Sequence, residues 1–454
     1  MIPKSAVPEI RWPAIPDQAG ALQLAIQRQL RESEWLAPDP LEALQLDALR
    51  RLLRYAVDTV PRYRDVAAYA ELAAAERITP DQWRSLPVLT RPAVQEAGDD
   101  LRSDDVPHSH LPLAELITTG STGAPVRALA TSVTNLFWRA ITLRQHLWHR
   151  RDLTARLAAI RADLTGEVPP DGLELETWGP STATVYAGGP CGVFSVQYDV
   201  ARQAEWLVKQ DPDYLLTYPS NLMALAQHFA GTGPALPRLR EACTYGEALT
   251  DDLRPLVREV WDVDVVDTYS AQEVGYIALQ CPKSDEYHVQ AETVYVEVLD
   301  EHDQPCPPGE VGRIVLSTLH NYAMPLLRYE IGDYAEVGPP CSCGRGLPVL
   351  RRILGRQRNM WVLPGGQRVW PLFGSREWGH IDAIRQLQLV QHEVDRIEAR
   401  IVGPRPLSDY EEMEVGGLLR KRFDYPFHLT FTYLDRIDRT ETRKFEDFVC
   451  RVRP

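Results

Sequence analysis

A run of hydroxyl side chains and glycines between two apolar segments has the composition best suited to bind a phosphate chain. It reads TTGSTGAP at residues 118–125. Its flanks, residues 113–117 and 126–130, have the pattern of short strands, which makes the run a turn between them. Glycines let the backbone approach a ligand closely, and the hydroxyls add donors. The same composition also occurs in surface loops, so the run alone leaves both interpretations open.

A second group of residues could bind a metal ion. Cys281, His288, Cys341 and Cys343 supply three thiols and one imidazole, which is a complete tetrahedral ligand set for zinc. Since four protein ligands leave no open coordination position, we interpret the site as structural. The spacing is not that of a CxxC motif, so incidental thiols remain an alternative. We interpret the other cysteines as buried or incidental: Cys191, Cys243, Cys306 and Cys450.

The composition is that of a globular protein that does not primarily bind nucleic acid or anionic membranes. The chain has 454 residues, 44% of them hydrophobic, and a formal net charge of −14. No apolar run is long enough to span a bilayer, and the first residues lack the apolar centre of a signal peptide. The 7 cysteines are an odd number, which favours a reducing compartment. We therefore expect a cytoplasmic protein of two or three domains.

Alternating strands and helices in the middle of the chain predict a parallel sheet covered by helices. Strands are expected at 214–217, 241–245 and 263–268. The intervening helices are expected to begin at caps, namely Asp199, Ser220, and Thr250 or Asp251. Ligands of such sheets bind at the carboxyl ends of the strands. The loops at 245–247 and 269–273 fall at that edge.

The remaining segments predict an α/β protein with two unequal domains. Residues 289–337 have a β pattern, and a boundary is expected near Gly355-Arg356. The last part reads as a hairpin at 361–369, strands at 386–390 and 396–402, a helix at 408–423 and a strand at 428–434. We assign residues 1–354 to a large N-terminal domain with parallel sheets and a β subdomain. Residues 355–454 are assigned to a small, mobile α+β domain.

The order of several motifs resembles that of the adenylate-forming (ANL) superfamily, most closely its phenylacetate-CoA ligase-like branch. The shared motifs are TGSTGAP at 119–125, YGEAL at 245–249, DTYSAQE at 267–273, MPLLRYEIGD at 324–333, LGR at 354–356 and RTETRK at 439–444. The branch is indicated by residues 58–64, 86–91 and 341–345. The resemblance covers nearly the whole chain, and members of this branch can carry a zinc such as the one considered above.

The resemblance implies a site for ATP. The phosphates would be bound by Thr118, Thr119, Gly120, Ser121, Thr122 and Gly123. Mg²⁺ would be coordinated by the carboxylate of Glu273, because a hard cation prefers oxygen ligands. A capping or surface glutamate is the alternative.

The same resemblance assigns the nucleoside side of the site. The residues that would bind ATP there are Gly246, Glu247, Asp267, Tyr269, Ser270, Asp333 and Arg356. Tyr269 would stack on adenine, although a tyrosine at a strand end is also common in cores. Asp333 would accept hydrogen bonds from the ribose hydroxyls, although a Gly-Asp pair is also an ordinary turn.

The resemblance implies that Lys444 is catalytic. Its ammonium would reach the reacting carboxylate and the α-phosphate, where negative charge develops. A solvated surface lysine is the alternative. Four residues depart from the superfamily pattern: Ala124, Glu330, Arg358 and Arg443.

Aromatic side chains lie on segments that line the acid pocket in the superfamily. They are Trp138, Tyr186, Tyr218 and Tyr276, and they would suit a planar acid. Ordinary core packing is an equally good interpretation of each.

The implied reaction is activation of a carboxylic acid, expected to be aromatic, with ATP and Mg²⁺. Transfer of the acyl group to coenzyme A would follow. An amine, a carrier-protein thiol, nitrite activation or a catalytically silent zinc-stabilised binding protein remain alternatives, and the oligomeric state is open between monomer and homodimer.

Overall fold

The computed structural model describes residues 2–64, 66–117, 126–162, 168–232, 236–356, 361–363, 368–369, 378, 381–384, 386–423, 425–435, 437 and 448–452. Within these ranges the helices are α1 Gln18–Ser33, α2 Pro38–Thr59, α3 Pro61–Arg64, α4 Ala67–Ala73, α5 Pro80–Arg84, α6 Arg91–Ala97, α7 Ser132–Trp148, α8 Pro180–Ala183, α9 Val200–Gln210, α10 Pro219–Thr232, α11 Leu253–Trp261 and α12 Asp409–Phe423. None of the helices in these ranges is long and apolar enough to cross a membrane.

The strands of the described residues form one large sheet and three smaller ones. They are β1 Leu89–Thr90, β2 Leu113–Ile117, β3 Arg127–Thr131, β4 Leu157–Arg161, β5 Leu173–Leu175, β6 Cys191–Ser195, β7 Tyr214–Thr217, β8 Glu241–Tyr245, β9 Asp264–Ala271, β10 Gly275–Gln280, β11 Tyr287–Val289, β12 Val294–Leu299, β13 Val311–Thr318, β14 Tyr329–Val337, β15 Val349–Arg356, β16 Trp361–Val362, β17 Arg368–Val369, β18 Gln386–Glu393, β19 Arg396–Val402, β20 His428–Tyr433 and β21 Phe448–Cys450.

The large sheet is parallel in one half and antiparallel in the other. Strands β6, β4, β7, β8 and β9 lie side by side in parallel. From β9 the order continues through β10, β11, β15, β14, β13 and β12, with antiparallel neighbours. The predicted parallel sheet with intervening helices is therefore confirmed. Its carboxyl edge is formed by the loops that follow β4, β7, β8 and β9.

Helix starts were predicted with mixed success. Asp199 caps α9 as predicted, since its carboxylate accepts a hydrogen bond from the Arg202 N–H at 2.9 Å. The predicted cap Ser220 is wrong, because α10 begins one residue earlier, at Pro219. Proline suits a first helical position because its φ is already fixed. The N-cap of α11 is Asp252, directly after the predicted candidates.

Two cores cover opposite parts of the large sheet. Helix α2 has buried leucines at helical spacing, Leu49, Leu52 and Leu53, which pack in one cluster with residues of the antiparallel half. The parallel half packs against α9, α10 and α11 in a second cluster. Their helical spacing places these leucines on one buried face of α2.

Strand β1 joins the N-terminal helical segment to the antiparallel half of the sheet. It pairs in parallel with β14, so that Leu89 lies opposite Tyr329 and Thr90 opposite Glu330. Thr90 then caps α6 through a hydrogen bond from the Ala93 N–H. The chain therefore changes from strand to helix at Arg91, the first residue of α6.

The C-terminal segment has its own sheet and core. Its four strands are ordered β20-β19-β18-β21, and Trp361, Leu389, Ile397 and Phe427 are among its buried residues. The predicted hairpin, strands and helix of this segment are confirmed within a few residues. The large-sheet strand β15 continues to Arg356, so the predicted start of the small domain at 355 falls inside a strand. The domain division itself stays a prediction.

Candidate active site

The loop after β8 carries two of the predicted nucleotide residues to the carboxyl edge of the sheet. Gly246 has φ +80°, a conformation that favours glycine and lets the chain leave the strand sharply. Glu247 then accepts a hydrogen bond from the Ser220 N–H at 3.0 Å. This N–H belongs to the first turn of α10, where donors lack partners within the helix. Glu247 therefore links the loop to the neighbouring helix.

Three other predicted residues, Tyr269, Asp333 and Arg356, lie together. The Tyr269 hydroxyl donates to Asp333 Oδ2 at 2.8 Å, and Arg356 Nε lies 3.6 Å from Asp333 Oδ1. The register of β14 and β15 places Asp333 directly opposite Arg356. Burial, followed by the charge of Asp333, raises the pKa of Tyr269 well above its ordinary value, so the phenol keeps its proton and remains a donor. An Asp333 carboxylate held in this way has further lone pairs for the hydroxyls of a sugar.

Tyr269 is largely buried. Its side chain is 7% exposed and packs in the larger core cluster. The hydrogen bond to Asp333 fixes the position of its hydroxyl. Stacking of its ring on adenine stays a prediction.

Asp267 is also placed differently from the prediction. It is 3% exposed, and its two oxygens accept hydrogen bonds from Thr244 at 2.6 Å and Tyr287 at 2.8 Å. Burial raises its pKa despite these hydrogen bonds. Since both oxygens are used inside the sheet, we correct its assignment from ATP contact to support of β8 and β9.

Glu273, the predicted magnesium ligand, follows β9 and is buried beside two donors. Its Oε1 lies 3.2 Å from Arg91 Nη1 and 3.2 Å from the Tyr329 hydroxyl. Glu273 and Tyr269 both lie near the carboxyl end of β9. That the predicted metal ligand and ribose ligand form one site stays a prediction. In the sequence, Arg91 belongs to the branch motif at 86–91, but it was assigned no role in the site.

The predicted acid-pocket aromatics fall into separate groups. The rings of Trp138 and Tyr276 are 4.3 Å apart, and the Tyr276 hydroxyl is 2.9 Å from Thr142 Oγ1. Trp138 remains 40% exposed. Ser270, a predicted nucleotide residue, is half-buried and lies opposite Tyr276 in the register of β9 and β10. The ring of Trp138 therefore offers an apolar surface near the end of β9.

The other two aromatics have different neighbours. The ring of Tyr218 is 4.9 Å from that of Tyr245, and its hydroxyl accepts from the Ala162 N–H at 3.3 Å. These residues lie at the carboxyl ends of β7, β8 and β4. Tyr186 packs in a cluster with Leu143 and Val185, where ordinary core packing explains it.

The predicted metal ligands converge in a buried cluster. The ligand atoms of Cys281, His288, Cys341 and Cys343 all lie within 4.8 Å of one another. Two of the separations are 3.7 Å, between Cys281 Sγ and Cys341 Sγ, and 3.3 Å, between Cys343 Sγ and His288 Nε2. A zinc tetrahedron with Zn–S bonds of about 2.3 Å has edges of about 3.8 Å. The two separations are close to these edges, so this donor set is compatible with zinc.

The three sulfurs of this metal cluster accept backbone N–H donors. Each cysteine sulfur accepts a backbone N–H from the residue two positions later, at 3.4–3.5 Å: Lys283 for Cys281, Cys343 for Cys341 and Arg345 for Cys343. Burial raises the pKa of Cys341 to about 12, whereas the pKa of Cys343 is lowered, because hydrogen bonds such as that from the Arg345 N–H outweigh the effect of burial. Burial, with the nearby Arg345 and Arg144, lowers the pKa of His288 to about 4, so its imidazole is neutral and able to bind a metal.

Two predicted parts of the site lie outside the described residues. They are the phosphate run at residues 118–123 and Lys444. Their assignments stay predictions, as do the consequences of the departures at Ala124, Arg358 and Arg443.

Much of the chain matches one known protein family. Residues 57–323 match the family described as AMP-binding enzyme. The chain belongs to this family. The match spans the predicted phosphate run, β8, β9, Glu273 and two of the predicted metal ligands, Cys281 and His288. The family resemblance inferred from the motifs is thereby confirmed.

Individual relatives are more distant. The chain is 27% identical over 357 residues to phenylacetate-coenzyme A ligase of Thermus thermophilus, which covers 74% of each chain. It is 25% identical over 350 residues to the same-named protein of Aromatoleum evansii, covering 74% of this chain and 75% of that protein. Among solved structures, 2-hydroxyisobutyryl-CoA ligase with a bound adenylate aligns with a TM-score of 0.71, 17% identity, and coverage of 92% and 91%. The structural similarity to 2-hydroxyisobutyryl-CoA ligase confirms the fold.

Proposed function

We propose that the protein is an AMP-forming acid–coenzyme A ligase that activates an aromatic carboxylic acid. The observation that carries the proposal is the common location of Tyr269, Asp333, Arg356 and Glu273 at the edge of the sheet in an AMP-binding enzyme. The names of the sequence relatives support coenzyme A as the acceptor.

In the proposed first step, a carboxylate oxygen of the acid attacks the α-phosphorus of ATP. An O–P bond forms, the bond to the bridging oxygen breaks, and pyrophosphate leaves. Asp333 would hold the ribose hydroxyls, and Arg356 and Tyr269 would keep its carboxylate in place. Mg²⁺ bound through Glu273 would offset charge on the phosphates. In the second step, the coenzyme A sulfur attacks the acyl carbon and AMP leaves.

The aromatic substrate class rests on Trp138 and Tyr276. Their tilted ring pair, with Trp138 partly exposed, offers a flat apolar contact beside the predicted nucleotide residues. The relatives named phenylacetate-coenzyme A ligase point to the same class of acid.

Pyrophosphate release with a panel of aryl and alkyl acids tests this proposal. Aryl acids should stimulate release, and mass spectrometry should find the acyl thioester when coenzyme A is present. Acyl transfer to an amine or to a carrier-protein thiol, without formation of acyl-coenzyme A, would reject coenzyme A as the acceptor. Absence of acid-dependent release with every acid would reject the reaction itself.

We also propose that Cys281, His288, Cys341 and Cys343 bind one structural zinc ion. The ligand distances, the burial of all four residues and the N–H donors to the sulfurs support this assignment. The ion would connect the loop after β10, the strand β11 and the loop before β15. The complete set of protein ligands argues against a catalytic role.

A further inference from the structure

A buried arginine from the N-terminal segment contacts the proposed magnesium ligand. Arg91 Nη1 lies 3.2 Å from Glu273 Oε1 and 3.3 Å from the Tyr329 hydroxyl, which itself donates to the same oxygen. The exposed fractions are 9% for Arg91, 7% for Glu273 and 0% for Tyr329. The three groups therefore form a small hydrogen-bonded unit, which we call the Arg91 unit.

The backbone explains why these distant residues meet. The short parallel pairing of β1 with β14 sets Leu89 opposite Tyr329, and the Leu89 N–H donates to the Arg328 carbonyl at 2.8 Å. The helix cap at Thr90 then turns the chain, which places Arg91 beside Tyr329. Glu273 arrives from the end of β9, 182 residues later in the sequence.

The Arg91 unit has the properties needed to orient a metal ligand. Arg91 and Tyr329 both donate to Oε1 of Glu273, which fixes the plane of the carboxylate. Neither of these two groups donates to Oε2.

We propose that Arg91 is a positioning residue which, with Tyr329, holds Glu273 for the Mg²⁺ of Mg–ATP. The start of α6 then sets the affinity for the metal–nucleotide complex. This inference rests on the proposed function, because it takes Glu273 to be the magnesium ligand.

Calorimetric titration of ATP at a series of free Mg²⁺ concentrations tests the inference. Arg91→Gln keeps hydrogen-bonding capacity but removes the charge, and it should raise the half-saturating Mg²⁺ concentration about 10–100-fold, as loss of the outer partners of metal ligands does. Arg91→Lys should restore part of the affinity because it keeps the charge. Tyr329→Phe removes one of the two donors and should have a smaller effect than Arg91→Gln.

A neighbouring ion pair provides a matched control. Arg328, which immediately precedes Tyr329, is also buried and is paired with Glu297 at 3.1 Å. Like Arg91, it joins the N-terminal segment to the sheet, because it donates to the carbonyls of Arg84 and Leu86. Arg328→Lys should lower the Tm without changing the half-saturating Mg²⁺ concentration. If Arg91→Gln does not fold, Arg91→Lys and Tyr329→Phe still give the comparison.

The outcomes separate this inference from the proposed reaction. The titration requires no turnover, so an Arg91-dependent Mg²⁺ effect in a protein without pyrophosphate release would support the inference and reject the reaction. An active wild-type enzyme whose Arg91 and Tyr329 variants have unchanged Mg²⁺ dependence would overturn only the inference. A lower half-saturating Mg²⁺ concentration in Arg91→Gln than in the wild type would also overturn the inference, since Arg91 would then compete with the metal. A wild-type protein that binds no Mg–ATP would overturn both.

Discussion

Individual side chains in the site are held by protein partners before any ligand arrives. Asp333 is oriented by Tyr269 from one side and Arg356 from another, and Glu273 by Arg91 and Tyr329. Fixed acceptors lose little conformational entropy on binding, so such arrangements favour affinity and a single geometry. At this scale the proposed site contains two carboxylates, and each is held by one phenol and one guanidinium.

Asp333→Asn should weaken ATP binding by about 1.5–3 kcal/mol, because charged acceptors form the stronger hydrogen bonds with hydroxyls. Isothermal calorimetry measures the change directly. Glu330→Gln, on the same strand and 3.7 Å from Arg313, is a control that should retain wild-type affinity. Equal ATP affinity in Asp333→Asn and the wild type would remove Asp333 from the nucleotide site.

Lys444→Ala should lower kcat for acid-dependent pyrophosphate release about 10²–10³-fold, with a much smaller change in KM. The reason is that its ammonium would gain most where charge develops between the carboxylate and the α-phosphate. Lys421→Ala, on the exposed face of α12, is a matched control for loss of a lysine in the C-terminal segment. Normal release in Lys444→Ala would show that Lys444 is a surface residue.

At the scale of elements, sequence patterns predicted the bounds of several strands but could not predict which strands pair with each other. The strands Leu113–Ile117, Tyr214–Thr217, Glu241–Tyr245 and Val294–Leu299 have the predicted bounds, because apolar runs between turn residues are local signals. The contact between Arg91 and Glu273 depends on β1 joining β14, and no local pattern encodes that pairing. Asp267 likewise had the expected position in its motif, but its use by Thr244 and Tyr287 depends on strand register.

The metal cluster should contain one zinc ion per chain, measured by elemental analysis of protein purified without added metal. Cys343→Ser should lower the Tm by about 5 °C or more, since 1 kcal/mol corresponds to roughly 2–4 °C in domains of this size and lost metal binding is lost folding energy. Cys306→Ser, outside the cluster, is the matched control and should keep the zinc. Substoichiometric amounts of every metal would contradict the assignment.

The half-buried His146 should make stability depend on pH. Burial, and then Arg151, lower the pKa of His146 well below its ordinary value, and His146 Nδ1 lies 2.9 Å from Arg151 Nη1, where only the neutral ring can accept. The unfolded histidine binds a proton below its pKa of about 6.5, whereas the folded one stays neutral. The stabilising contribution of neutral His146 is therefore fully present above a pH of about 6.5 and is lost as the pH falls below it.

His146→Asn, which keeps an acceptor but cannot be protonated, should reduce the acid dependence of unfolding between pH 6.5 and pH 5. The expected difference is up to about 1.4 kcal/mol per pH unit, measured by denaturant titration. His302→Asn removes an exposed histidine and should leave the slope unchanged. Identical slopes in His146→Asn and the wild type would contradict this origin of the pH dependence.

At the scale of the whole molecule, the large sheet unites functions that are separate in the sequence. Its parallel half supplies the loops that carry Gly246, Glu247 and Glu273, and its antiparallel half supplies Asp333 and Arg356. The site lies where the two halves meet at β9. A chain with either half alone would have only part of the proposed nucleotide site, which explains why the motifs are spread along so much of the sequence.

Two indole rings lie against the metal cluster, and this has an optical consequence. The Arg345 guanidinium, just after the cysteine ligands, is 4.4 Å from the ring centre of Trp148 and 5.0 Å from that of Trp35. Trp148 also meets the imidazole of His288 edge-on, at 5.9 Å. Tryptophan emission responds to nearby charge, so removal of the metal by a chelator should change the intrinsic fluorescence as Arg345 and His288 shift. Trp12→Phe, on the exposed N-terminal arm, should retain the signal and Trp148→Phe should lose most of it, so that the chain reports the occupancy of its own metal cluster without an added dye.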